Sequence, residues 1–138
     1  GLEAPSHGNI RKDFPGGWPG DPVDKFTAAG RTSQENEAFD FVRTLLRYRN
    51  ATPALQTGRL MQFVPEDGVY TYFRYDAGKT IMVLLNTANA ERMVDTRRFA
   101  ERMQGFSRAR DVVTGREMPI SAKLYVERNS PLVLELLR

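Results

Sequence analysis

The residues best suited to chemistry lie together near the start of the chain. Trp18, the only tryptophan, offers an indole face that can lie against the C–H face of a pyranose ring, and Arg11, Lys12 and Asp13 supply donors and an acceptor for hydroxyl groups. They stand in the segment Asn9-Ile10-Arg11-Lys12-Asp13-Phe14-Pro15-Gly16-Gly17-Trp18-Pro19-Gly20-Asp21, which holds two prolines, three glycines and four charged residues. Flexible linkers are poor in large aromatics, because an exposed ring has nothing to cover it. Here Phe14 and Trp18 need a pocket, the glycines permit positive-φ turns, and Pro15 and Pro19 fix φ beside them. That composition describes a shaped loop held by a scaffold, with Arg11, Asp13 and Trp18 as the candidate substrate-binding residues. An indole turned inward as the loop's own anchor accounts for the same residues, as does a loop with a structural role alone.

Other chemistries fit the chain poorly. His7 is the only histidine, and no serine sits in a G-x-S-x-G setting, so a Ser-His-Asp arrangement has no support. Gly16, Gly17 and Gly20 do not make a phosphate loop, because no strand precedes them and no Lys-Ser or Lys-Thr follows in place. Asp13 and Asp21 read as turn-capping or ion-pairing aspartates more readily than as a catalytic carboxylate pair, for which no partner or spacing is evident. With no cysteine there is neither a disulfide framework nor a thiolate metal site, and neither a metal nor a cofactor is expected.

Bulk properties set the class. A length of 138 residues fits one domain, or a small domain with an appended piece. The net charge of +3 is mild, and the basic residues are scattered from Arg43 to Arg110 with acids between them. A nucleic-acid footprint would cluster them on one face, so none is expected. The longest aliphatic run, 81–85, is far short of the ~20 residues that cross a bilayer. The opening Gly1-Leu2-Glu3-Ala4-Pro5 lacks the basic and apolar regions of a signal peptide.

The elements that must carry the loop follow it. Thr32-Ser33-Gln34-Glu35 has capping-box spacing and predicts a helix over 33–49. Ala38, Phe41, Val42, Leu45, Leu46 and Tyr48 fall at three-and-four spacing, with Arg43, Arg47 and Arg49 mainly opposite; Asn50, Thr52 and Pro53 end it. From Gly58 the period becomes two. Strands are predicted over 59–64, 69–75 and 80–86, separated by Glu66-Asp67-Gly68 and Asp76-Ala77-Gly78-Lys79, turns too short for parallel crossovers. Further strands are predicted at 91–95, 109–113, 116–120, 123–127 and 132–137, with helical turns over 96–103 and a hairpin at Thr114-Gly115. The expected fold is mainly β: an eight-stranded antiparallel β-sandwich with Greek-key connections, preceded by an irregular loop and one amphipathic α-helix.

The segment 9–21, then Phe26-Thr27, then Gln34-Glu35-Asn36-Glu37 opening a helix that closes in Leu45-Leu46-Arg47-Tyr48-Arg49, resembles the end of the catalytic barrel in α-amylase-type glycoside hydrolases (glycoside hydrolase family 13). It is most similar to cyclomaltodextrinases and neopullulanases. Gly58-Arg59-Leu60, the stretch from Phe63 to Tyr70, Val83-Leu84-Leu85-Asn86, Asp111-Val112-Val113-Thr114-Gly115 and Ser130-Pro131-Leu132-Val133-Leu134-Glu135-Leu136 resemble the C-terminal β-sandwich of the same enzymes. The resemblance implies that residues 1–53 are the tail of a (β/α)8 barrel and 54–138 a C-terminal β-sandwich domain. It also implies a parent that cleaves α-1,4-glucosidic bonds with retention, through a nucleophilic carboxylate and an acid/base carboxylate from earlier barrel strands. Those motifs do not occur in this sequence.

On that resemblance the chain is a C-terminal fragment without catalysis of its own, supporting the barrel, and its partners are the barrel and an α-glucan or cyclodextrin substrate. A periplasmic or extracellular location is implied for the parent. An independent α-glucan-binding module is the alternative: Tyr70 and Tyr72 fall on one strand face and Tyr75 on the other, a pattern that a packed strand pair also gives. The helix face around Phe41, Leu45 and Tyr48 needs cover, either by folding back on the sandwich or by self-association.

Overall fold

The strands form where apolar and β-branched residues are punctuated by turn chemistry. In the computed structural model, which describes residues 14–138, they are β1 (Arg59–Gln62), β2 (Val69–Tyr75), β3 (Thr80–Asn86), β4 (Arg92–Asp95), β5 (Arg108–Asp111), β6 (Glu117–Pro119), β7 (Lys123–Val126) and β8 (Ser130–Leu137). Ahead of them lie helix α1 (Ser33–Ala51) and the short helix α2 (Pro53–Gln56). A 3-10 turn (Thr96–Phe99) and α3 (Ala100–Met103) separate β4 from β5. The described residues divide into two compact units, with the break between Val42 and Arg43 inside α1.

The second unit is the expected antiparallel sandwich, built unevenly. Six strands form one sheet in the order β1-β2-β3-β8-β5-β6, and β4 and β7 form the other. The meander β1-β2-β3 follows from its short turns. β8 then enters between β3 and β5, pairing Ile81 with Glu135 on one side and Ala109 with Leu136 on the other. Alternation sends Phe73, Met82, Leu84, Leu134 and Leu136 into a core with Val94, Phe99, Met103, Leu124 and Val126. Phe63, Phe73 and Phe99 meet there edge-on or tilted, with ring centroids 4.8–6.0 Å apart.

Asn86 at the end of β3 ties the layers. Its buried Nδ2 donates to the carbonyls of Ala90 (3.0 Å), Val126 (3.3 Å) and Glu127 (3.0 Å), while its Oδ1 accepts from the Ala88 amide at 2.9 Å. A polar side chain can be buried at this joint because its hydrogen-bonding groups are used.

Most strands shift at one or both ends by one or two residues from the sequence expectation, and three of the boundary differences have a local reason. α1 runs two residues beyond 49, and Pro53 begins α2 instead of only stopping α1, since proline suits the first helical turn. β1 stops at Gln62; Phe63 still donates its amide to Thr71 but turns its ring into the core. β8 begins at Ser130 and contains Pro131, which is tolerated because β5 pairs only with Leu134 to Leu137, leaving that side of β8 open at Pro131.

Candidate functional site

In the first unit, the loop leading into α1 is fixed by its own polar groups. The Trp18 amide donates to Asp21 Oδ2 at 3.0 Å, and the Asp21 amide returns a bond to the Trp18 carbonyl. Phe14 meets Phe26 edge to face, with centroids 4.9 Å apart. Gly16 has φ +110°, and a Cβ there would come within 2.6 Å of the Asp24 Cα, so only glycine fits the crossing. Arg31 gathers the end of the loop: its Nε donates to Asn36 Oδ1, its Nη1 to the carbonyls of Lys25 and Phe26, and its guanidinium lies 3.8 Å from the Phe39 ring centroid.

The capping box forms as the spacing predicts. The Glu35 amide donates to Thr32 Oγ1 (3.2 Å), and Glu35 Oε2 accepts from the Thr32 amide (2.7 Å) and from Lys25 Nζ (2.6 Å). The Lys25 bond, followed by that from Thr32, holds the Glu35 carboxyl below its ordinary range.

Among the described residues nothing encloses Trp18: 80% of its surface is open, which departs from the expectation of a covered ring and also from an inward anchor. An open indole on a loop whose backbone is pinned at Trp18 and Asp21 is available to a flat apolar ligand face. Arg11 and Asp13 lie outside the described residues.

In the second unit, the outer face of the large sheet meets the end of α1. Leu45, Tyr48 and Leu55 stand on one side and Tyr72, Val83 and Val133 on the other of an apolar groove of about 360 Å³. So the helix face around Leu45 and Tyr48 does fold back, and it fills the groove only in part. Tyr70 and Tyr72 sit side by side on this face, with centroids 5.6 Å apart, while Tyr75 turns to the core side.

At one end of the groove is a buried carboxylate that the sequence reading did not single out. Glu135 Oε2 accepts from the Tyr48 hydroxyl at 2.9 Å and from Arg110 Nη2 at 2.8 Å, and Lys79 Nζ lies 3.4 Å from Oε1. Burial raises the Glu135 pKa, but the bonds from Arg110 and Tyr48 and the Lys79 charge outweigh it, so the carboxyl titrates below its ordinary range. Tyr48 is pushed the other way, first by burial and then by its bond to the carboxylate. The signal was present as an acidic residue on a strand whose other outward positions, Pro131 and Val133, are apolar. Such a residue needs a partner, and here it has three.

These features define an antiparallel β-sandwich domain with a helix and a pinned, tryptophan-bearing loop ahead of it. The fold is that of the C-terminal region of several glycoside-active enzymes. An α-amylase from Anoxybacillus superposes with a TM-score of 0.61 at 19% identity, over 73% of this chain and 22% of its own. The α-amylase GTA of Geobacillus thermoleovorans, solved with acarbose, gives 0.64 at 16% identity over 78% and 24%. The trehalulose synthase MutB of Pseudomonas mesoacidophila gives 0.55 at 23% over 68% and 17%. The chain thus spans about a fifth of the length of these enzymes. The sequence profile of the cyclo-malto-dextrinase C-terminal domain matches residues 60–135, more than half of the chain, and the chain belongs to that family.

Proposed function

We propose that the chain is the C-terminal part of an α-glucan-hydrolysing enzyme of the α-amylase and cyclomaltodextrinase type, with residues 1–53 closing the catalytic barrel and 54–138 supporting it. The observation that carries this reading is the family match over 60–135. The half-filled apolar groove beside α1 supports it, because a supporting domain needs an apolar face for its neighbour. The fragment has no hydrolytic activity of its own; the nucleophile and the acid/base belong to the barrel.

In this reading the loop forms part of the rim of the substrate cleft, with Trp18 as a platform for a glucose ring and Arg11 and Asp13 as hydroxyl partners. The open indole supports the assignment. In the enzyme that carries this domain, Trp18→Ala is expected to raise KM for β-cyclodextrin several-fold, the loss of one stacked ring being worth about 0.5–1.5 kcal/mol. Unchanged kinetics would remove the loop from substrate binding. The reading frame upstream of Gly1 tests the parent itself: the eight barrel strands, the helices between them and the carboxylates are expected there.

The neighbouring Tyr70 and Tyr72 on the outer sheet face favour a second reading, an independent α-glucan-binding module. Titration of the chain with maltoheptaose separates the two, since the supporting role expects no shifts at these tyrosines.

A further inference from the structure

One cleft in the sandwich has no part in the groove or the loop. It has a volume of about 500 Å³ and is lined by Thr57, Gly58, Arg59, Tyr75, Asp76 and Arg102. Arg59 and Tyr75 are directly paired across β1 and β2, so their side chains rise on the same face. Arg102 reaches the cleft from α3, and its guanidinium lies 4.0 Å from the Tyr75 ring centroid.

The two guanidinium groups differ from four other arginines of the sandwich, and the unmet Arg102 Nε is matched only by Arg74 Nε, which lies on the opposite face of β2. Arg97, Arg98, Arg108 and Arg110 are each paired with a carboxylate. Arg59 and Arg102 have no ion pair and no hydrogen bond among the described residues, and the Arg102 Nε is shut off from solvent without an acceptor. Donors left unmet at a partly buried guanidinium cost free energy that an incoming acceptor recovers. Stacking on Tyr75 uses the face of the Arg102 plane and leaves its edge, the part that makes forked bonds to an oxyanion.

Asp76 is the one acid on the lining, and it is already engaged: its Oδ1 accepts from the Gly78 and Lys79 amides at 2.8 Å each. The Thr57 hydroxyl is directed to the Pro53 carbonyl at 3.4 Å. The cleft therefore carries two unspent guanidinium groups against one committed carboxylate, and the net field favours an anion.

We propose that this cleft binds a phosphate group, free or as a sugar monoester, held between Arg59 and Arg102 beside Tyr75. The site is independent of the glucan reading and would stand if that reading failed.

The test is a residue-resolved NMR titration of the 138-residue chain at low ionic strength with inorganic phosphate, glucose 6-phosphate and maltoheptaose. Saturable shifts at Gly58, Tyr75 and Ala77 with both phosphates and none there with maltoheptaose are expected. Tighter binding of the sugar ester would assign the physiological ligand to that source; equal binding would assign free phosphate. Arg59→Gln and Arg102→Gln should each weaken binding about tenfold, and Arg102→Lys, which keeps the charge without the fork, should weaken it less. Arg59 is exposed, so its variant reports on binding even if an Arg102 change disturbs packing on Tyr75. No saturable shifts with phosphate, shifts at these residues with maltoheptaose alone, or unchanged affinity in both Gln variants would overturn the proposal.

Discussion

Two carboxylates, the buried Glu135 and the more open Asp95, lend the sandwich pH dependence of one sign. Glu135 has a depressed pKa when folded, so its contribution to stability is present above the carboxylate's unfolded value and is lost as pH falls through the folded one. Asp95 acts in the same sense, its carboxyl lowered to about 2 by the Arg97 side chain and amide. Urea midpoints should therefore fall steadily below about pH 4.5, and Glu135→Gln should flatten that fall while costing about 1–3 kcal/mol at pH 7, because Arg110 loses its charged acceptor. Asn86 predicts the opposite trend. An Asp there would face the carbonyls of Ala90, Val126 and Glu127 with a negative charge. Asn86→Asp should unfold more easily at pH 7 than at pH 5, and a variant as stable as the parent at neutral pH would refute the role given to the amide.

At the level of elements, the sequence was legible wherever local chemistry decides. β2 and β3 begin and end at the predicted residues because Asp67-Gly68 and Ala77-Gly78 punctuate them, and the capping box reads directly from Thr32 and Glu35. Thr32→Ala removes the acceptor of the Glu35 amide; the expected local cost of about 1 kcal/mol should appear as roughly fivefold faster hydrogen exchange at Glu35. The order of strands was not legible. Whether β8 joins the sheet at an edge or at its centre depends on pairings between residues far apart in sequence, and nothing in either strand's pattern states its neighbour. The Glu135 cluster was missed for the same reason, since Tyr48, Lys79 and Arg110 come from three separate elements.

For the molecule as a whole, the apolar surface left open is the property to test. Leu46 on α1 is 54% exposed near a groove that α1 only partly fills. We expect the isolated chain to self-associate with a concentration dependence visible in sedimentation equilibrium, and Leu46→Glu to return it toward monomer; a strictly monomeric parent chain at millimolar concentration would contradict this. Trp18 stood out in the sequence by its type and setting, but its outward direction depends on the backbone of the loop, which composition does not specify. The insertion of β8 between β3 and β5 has a consequence for biosynthesis. β3, with Ile81 to Leu84 buried on both faces, is translated about fifty residues before the strand that must lie against it. At ~5–20 residues per second the ribosome leaves that apolar strand half-covered for about 3–10 s. The domain can close only after residues 130–137 clear the exit tunnel, so its folding is a late event of synthesis, and a nascent chain stalled before β8 is the species most in need of a chaperone.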